Sequence, residues 1–216
     1  MAETPDNQER GRNLRQLVFL VVLGGALTGI LAWVYQDTLP RALMNQEAHA
    51  MRTLREVLPE GKYDNEPHRD KVFYTDADLL GSSTPQPVYI ARDTGKPVAI
   101  VVNTRSSPAY IGPVTLVVGI SASGEIIGVR AVDHQETPGL GDNIDVAKSD
   151  WIKEFRDRSL ANTVEGKWNI RRNGGDFDQI SGATVTSHAV INAVYQALQF
   201  EAQHRAEIYE QDLTKP

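Results

Sequence analysis

The sequence predicts an α+β protein, in which one N-terminal transmembrane helix precedes a single domain built from an antiparallel sheet packed by helices. Three observations indicate this fold. An uncharged apolar run covers residues 17–35, two pairs of β-rich segments are each joined by a short glycine-containing turn, and apolar residues recur with helical spacing after Thr184. With 41% hydrophobic and 23% charged residues, the composition is that of a folded globular chain.

The apolar run 17–35 is long enough to cross a membrane, because a helix needs about 20 apolar residues to span the hydrocarbon core. A cleaved signal peptide is the alternative, but its apolar part is usually only about 7–15 residues long. Arginines are found in residues 1–16, whereas the first basic residue after the run is Arg41. Since positive residues favour the cytoplasm, we expect a single-pass membrane protein with its N-terminus inside and residues 37–216 outside, which in a bacterium means the inner membrane and the periplasm. Its N-terminal tail would be cytoplasmic, its main domain periplasmic, and residues 17–35 would contact the lipid bilayer.

Beyond this span the chain divides into three parts. Residues 36–84 contain a juxtamembrane helix and a connecting region, residues 85–200 form the main domain, and residues 201–216 form the end of the last helix and a tail. In the main domain, β-branched apolar segments flank turns at 93–96 and 123–124. This pattern predicts two hairpins, and therefore four antiparallel strands.

Two helices are predicted after the strands. The first is short and lies around residues 149–155, and the second follows Thr184. Apolar residues on one face of the second helix are expected to pack onto the sheet: Val190, Ile191, Val194, Ala197 and Leu198.

Composition excludes several classes of function. A formal net charge of −6 argues against a nucleic-acid partner, because no basic surplus is available to neutralise phosphates. The absence of cysteine excludes disulfides, Cys-ligated zinc and iron–sulfur clusters bound by this chain. The sequence contains no G-x-S-x-G elbow, so it gives no support for a serine hydrolase. We therefore predict no catalytic residue and no metal site, and any redox chemistry requires a bound cofactor.

A sharp turn follows the fourth predicted strand. The segment 136–141, Glu-Thr-Pro-Gly-Leu-Gly, combines a proline that fixes one backbone angle with two glycines that permit positive φ. Such glycines also let backbone N–H groups approach a flat ligand closely. The segment is either a tight exit from the sheet or part of a ligand site, and turn chemistry alone favours the exit.

A second polar segment, residues 178–187, leads into the last helix. Its serines and threonines can cap a helix, because their oxygens accept the free N–H groups of the first turn. The same N–H groups and the positive end of the helix dipole can instead bind a phosphate. Local rules alone favour the capped helix, and the phosphate site is the alternative.

The two segments together, in this order after one N-terminal span, resemble the FMN-binding domain family of respiratory membrane complexes. The family pattern Asp-x-x-Ser/Thr-Gly-Ala-Thr is met by residues 178–184 at every defined position. In that family a flavin transferase moves FMN from FAD to the final threonine through a phosphoester bond. The resemblance covers about residues 85–200 and implies that Thr184 carries covalent FMN, with Asp178 as part of what the transferase recognises.

The resemblance also implies the surroundings of the cofactor. Small or hydrogen-bonding residues near Thr184 would surround the phosphate and the ribityl chain: Ser181, Gly182, Ala183, Thr186 and Ser187. Residues of the second family signature would lie near the flavin ring: Glu136, Thr137, Gly139, Leu140 and Gly141. Leu140 is expected to cover one face of the ring.

Within the family, the resemblance is greatest to the G subunits of Rnf-type ion-translocating electron-transport complexes, and the C subunits of the sodium-pumping NADH:quinone reductase are the alternative. It implies an electron carrier whose partners are the other membrane and iron–sulfur subunits and a periplasmic flavin transferase. One uncharged helix offers no ion path of its own. A membrane-tethered interaction module without redox function is the competing hypothesis.

Overall fold

The computed structural model describes residues 19–36, 38 and 51–210, and it divides into two units, Met1–His49 and Ala50–Pro216. In the first unit, helix α1 covers Phe19–Gln36 with a mean hydropathy of 1.7 and no buried side chains. By length and composition it can cross a membrane, which confirms the predicted N-terminal apolar helix. Residues 17 and 18 of the predicted span lie outside the described residues.

Near the start of the second unit, residues 51–57 form helix α2. The predicted juxtamembrane helix therefore exists at least over this range, and its earlier part lies outside the described residues. Leu54, Val57 and Leu58 are buried at the end of this helix.

The sheet is a meander of five antiparallel strands in the order β1-β2-β3-β4-β5. The strands are β1 (Lys71–Asp76), β2 (Ser82–Asp93), β3 (Lys96–Arg105), β4 (Thr115–Ser121) and β5 (Ile126–Asp133). Strands β2 to β5 are the four predicted from the sequence, and both predicted hairpin turns are present. Strand β1 is an addition at the edge of the sheet.

Helix α2 covers one face of the sheet. Its buried residues pack against a small cluster from β2, β3 and β4: Ala91, Ala99, Val101 and Val117. The contact is close, since a Cβ on Gly119 would lie 1.8 Å from the Val57 carbonyl oxygen. Only glycine at position 119 lets the helix backbone approach the strand this closely.

Helix α3, Thr184–Glu210, covers the other face. The five residues predicted to face the sheet are all buried in the main core, together with the inward side chains of β2 to β5. Burying each valine, leucine or isoleucine side chain of this set contributes roughly 1.5–3 kcal/mol. Because both faces are covered, β3 and β4 read as continuous apolar runs and not as alternating ones.

Between β5 and α3 the chain makes four short 3₁₀ turns at Gly141–Ile144, Trp151–Phe155, Glu165–Lys167 and Arg171–Asn173. The predicted short helix at 149–155 corresponds to the second of these turns. An aromatic cluster fills this region of the core and includes Trp151, Phe155, Trp168, Phe177 and Tyr195. This packed segment holds the loop that leads into α3.

Candidate functional site

The two segments singled out in the sequence meet in space. The Thr186 hydroxyl donates a hydrogen bond of 2.6 Å to Glu136 Oε2, although the two residues are 50 positions apart. At the same place Leu140 lies over Gly182, where a Cβ would come within 2.8 Å of Leu140 Cδ2. The loop after β5 and the start of α3 therefore form one site.

The loop after β5 is a specified turn. The Leu140 N–H donates to the Thr137 carbonyl oxygen at 3.1 Å, and Gly139 has a φ of +79°, which a side chain would oppose. Gly141 packs directly on Glu136, since a Cβ there would lie 2.3 Å from Glu136 Oε2. Gly139 is thus needed for the backbone conformation of the turn, and Gly141 is needed for the close packing against Glu136.

The start of α3 lacks a side-chain cap. The first helical hydrogen bond runs from the Ser187 N–H to the Ala183 carbonyl oxygen at 3.0 Å, so Ala183 occupies the N-cap position. Alanine has no side-chain oxygen that could accept a backbone N–H of the first turn. Within the described part of the chain, the backbone N–H groups of Thr184, Val185 and Thr186 donate no hydrogen bond.

The predicted phosphate-side residues divide by exposure. Ser181 and Gly182 are exposed, and Thr184 is partly exposed at the first helical position. In contrast, Thr186 and Ser187 have 0% exposure. Both hydroxyls form hydrogen bonds to other groups of the protein. The contact of these two residues with a cofactor stays a prediction.

Ser187 fastens the loop to the helix. Its hydroxyl donates to the Ala183 carbonyl oxygen and accepts from the Ile180 N–H, both at 3.0 Å. The Ala183 N–H in turn donates to the Ile180 carbonyl oxygen at 3.0 Å. These bonds hold the chain just before Thr184 in one conformation.

Asp178 lies on the surface at the beginning of the same loop. Its carboxylate forms an exposed ion pair of 2.7 Å with Arg171. Its backbone is held on both sides, because its N–H donates to Glu154 Oε2 at 2.9 Å and its carbonyl oxygen accepts from the Trp151 indole at 2.7 Å. The pKa of Glu154 is raised, mainly because burial disfavours its charged form.

Two apolar residues that sequence reasoning missed border the site. Tyr110 and Ile111 are 73% and 53% exposed at the tip of the β3–β4 loop, and the Ile111 N–H donates to Glu136 Oε1 at 3.3 Å. Leu140 and Val185 are further exposed apolar side chains near Thr184. The signal available in the sequence was a pair of large apolar residues at a turn, where polar residues are usual.

Charged side chains flank the loop after β5. Lys148 Nζ lies 2.5 Å from Asp142 Oδ2 and 3.6 Å from Asp145 Oδ2. The hydrogen bond from Lys148 lowers the pKa of Asp142, and the same bond raises the pKa of Lys148. His134 Nε2 lies 3.2 Å from Asp145 Oδ1, and His134 Nδ1 accepts from the Glu136 N–H. Among the described residues, no three His, Asp or Glu side chains are placed to hold a metal ion.

Comparisons with known proteins define the class. The sequence model of the FMN-binding domain family matches residues 110–199, a range that includes both segments of the site. The domain is thus an FMN-binding domain that follows an apolar helix able to span a membrane.

The chain belongs to the family of G subunits of ion-translocating oxidoreductase complexes. It is 40% identical over 192 residues to the G subunit from Shewanella baltica, covering 88% of this chain and 91% of the relative. The G subunit from Pseudomonas aeruginosa PAO1 is 40% identical over 195 residues, covering 90% and 91%. The crystal structure of Shewanella oneidensis NqrC is 21% identical with a TM-score of 0.46, covering 70% of this chain and 76% of that one. The predicted relationship to the G subunits is confirmed.

Proposed function

We propose that this chain carries FMN in a phosphoester bond to the Thr184 hydroxyl and serves as an electron carrier within a membrane-bound ion-translocating oxidoreductase complex. The observation that carries the proposal is the open start of α3. Three backbone N–H groups at Thr184, Val185 and Thr186 have no partner within the described residues.

An open helix start fits a phosphate well. The free N–H groups point outward, and the helix dipole places about half a positive charge at this end. The competing interpretation, a helix capped by its own serine or threonine, is disfavoured because the N-cap residue is Ala183. A phosphate on Thr184 stands at the first helical position, within reach of these donors.

The attachment reaction balances as a phosphoryl transfer. The Thr184 oxygen forms a bond to the FMN phosphorus while the pyrophosphate bond of FAD breaks, AMP leaves, and the hydroxyl proton is released. A periplasmic flavin transferase carries out this step. Asp178 supports recognition by that enzyme, since its side chain is 54% exposed in an ion pair with Arg171, and exposed pairs of this kind contribute only about 0–1 kcal/mol.

Bound FMN supplies the electron chemistry, and the protein holds and tunes it. Ser181 and Gly182 are exposed beside the attachment point and would contact the phosphate and ribityl chain. Leu140 is 44% exposed over Gly182 and would exclude water from one face of the ring. Residues 137–141 would line the ring with backbone groups, while Thr186 and Ser187 would support the site from inside.

The same proposal includes the place of the chain in the cell. Helix α1 anchors the protein in the bacterial inner membrane, the N-terminus lies in the cytoplasm, and the FMN-binding domain lies in the periplasm. This orientation is supported by the arginines of residues 1–16. Partner subunits in the membrane and those that carry iron–sulfur clusters exchange electrons with the flavin. The name shared by the relatives, a subunit of an ion-translocating oxidoreductase complex, supports partner subunits in such a complex.

Covalent flavin is tested by co-expressing the full chain with a flavin transferase and separating the product on a denaturing gel. The wild type is expected to give a fluorescent band, and Thr184→Val is expected to give none. Thr84→Val, which removes an exposed hydroxyl from strand β2, is the matched control and keeps the band. A folded wild type that stays colourless beside an active transferase would refute the proposal and favour a non-redox interaction module.

A further inference from the structure

Glu136 is a buried carboxylate with both oxygens engaged. The residue is 6% exposed. Oε2 accepts the Thr186 hydroxyl at 2.6 Å, and Oε1 accepts the Ile111 N–H at 3.3 Å. Three separate parts of the chain, the loop after β5, the β3–β4 loop and the first turn of α3, are therefore joined through this one side chain.

The chemistry of this junction favours a carboxylate. Both neighbours are donors, so the group between them accepts twice. A glutamine accepts at one end only: its NH₂ group would face the Ile111 N–H, or it would force the Thr186 hydroxyl to turn from donor to acceptor. A buried carboxylate that loses a donor is costly, and hydrogen bonds to charged groups are stronger than neutral ones.

The Glu136 carboxylate leaves the backbone N–H groups at the start of α3 free. It bonds to the side chain of Thr186 and not to the backbone N–H groups of the first turn, which stay available. Its negative charge also lies at the positive end of the helix dipole, where an anion is stabilised. Glu136 thus fixes the first turn without occupying the donors that a phosphate needs.

We propose that Glu136 is a positioning residue for flavin attachment: through Thr186 and the Ile111 N–H, it holds the helix start so that the Thr184 hydroxyl is presented to the flavin transferase. This inference rests on the proposed attachment at Thr184. Glu136 acts through Thr186 and does not touch the reacting atoms. Its loss therefore lowers the rate of transfer without weakening recognition of Asp178.

Helix α3 offers a matched control at its other end. Glu201 is also a buried carboxylate, 1% exposed, and it accepts two hydrogen bonds of 2.9 Å from Arg205. It lies about 25 Å along the helix from Thr184, at 1.5 Å per residue. Glu201→Gln removes a buried charge from the same helix, far from the attachment point.

The test measures kcat and KM of a purified flavin transferase acting on the full-length, detergent-solubilised chain, with FAD as the donor. Glu136→Gln and Thr186→Val are expected to lower kcat at least tenfold with KM for the chain unchanged. Thr186→Ser keeps the hydroxyl and is expected to recover most of the rate lost in Thr186→Val. Glu201→Gln is expected to react like the wild type. Hydrogen exchange of the hydrogen-bonded amides at 187–190 is measured in parallel and is expected to accelerate in Glu136→Gln and Thr186→Val but not in Glu201→Gln.

Each other outcome overturns the inference. Wild-type kcat in Glu136→Gln would show that the junction is dispensable, and an equal loss in Glu136→Gln and Glu201→Gln would show a general effect of stability. A wild type that accepts no flavin would instead refute the attachment at Thr184. The exchange measurement then decides separately whether Glu136 orders the helix start, and unchanged exchange would refute that role.

Discussion

Gly182 connects the two halves of the site, and its replacement by alanine tests whether the backbone there is as constrained as the structure indicates. Gly182 has a φ of +77°, and a Cβ would lie 2.8 Å from Leu140 Cδ2. A non-glycine residue in the left-handed region costs roughly 1–2 kcal/mol. Moving the Leu140 side chain off its rotamer adds about 0.5–1.5 kcal/mol. We expect Gly182→Ala to lower the free energy of unfolding by about 2 kcal/mol.

The assay is urea unfolding of the full chain in detergent, followed by tryptophan fluorescence, since Trp151 and Trp168 are buried in the core. With an m-value of about 2 kcal/mol/M, a loss of 2 kcal/mol lowers the midpoint by about 1 M urea. Gly166→Ala is the matched control. Gly166 has no positive φ, and a Cβ there would meet no atom within 4 Å, so its midpoint should change little. Equal midpoints for the two variants would refute the reasoning.

Two further predictions concern the sheet and the charged loop. Gly119→Ala is expected to lower the free energy of unfolding by about 3 kcal/mol or more. The new Cβ would lie 1.8 Å from the Val57 carbonyl oxygen, so helix α2 must move. An unchanged midpoint of thermal unfolding would contradict this. Asp142→Asn is expected to be less stable than the wild type at pH 7. The Lys148 hydrogen bond lowers the folded pKa of Asp142 below its ordinary value of 3.8, so this stabilisation is complete above that pH and is lost as the pH falls through the folded pKa. A stability difference that stays constant down to about pH 2 would refute the assignment.

Much of the fold follows from local rules. The glycine turns at 93–96 and 123–124 specify the hairpins, and the helical spacing of apolar residues after Thr184 predicts helix α3. These features depend on neighbouring residues alone, so they are readable from the sequence.

Strand β1 could not be predicted in the same way. Its residues alternate only between exposed and half-buried, and its partner segment in β2 contains Pro85 and Pro87, which weaken a strand signal. The strand exists because Val72 and Phe73 pair with residues of β2, a tertiary contact. Local propensity does not report such pairing.

The site shows the same division between local and distant causes. The motif located Thr184 and both segments, but capping rules suggested that a serine or threonine would close the helix start. The N-cap residue is instead Ala183, one position before Thr184. The contacts of Glu136 with Thr186 and Ile111 span 50 and 25 residues, and no spacing rule reveals them.

The most direct test of covalent FMN at Thr184 is the intact mass of the protein purified from its own cells, followed by fragmentation of the peptide that contains residues 178–187. We expect the mass of the polypeptide plus one FMN less one water, with the addition on Thr184. A mass equal to the bare polypeptide, or FMN on any other residue, would contradict the attachment.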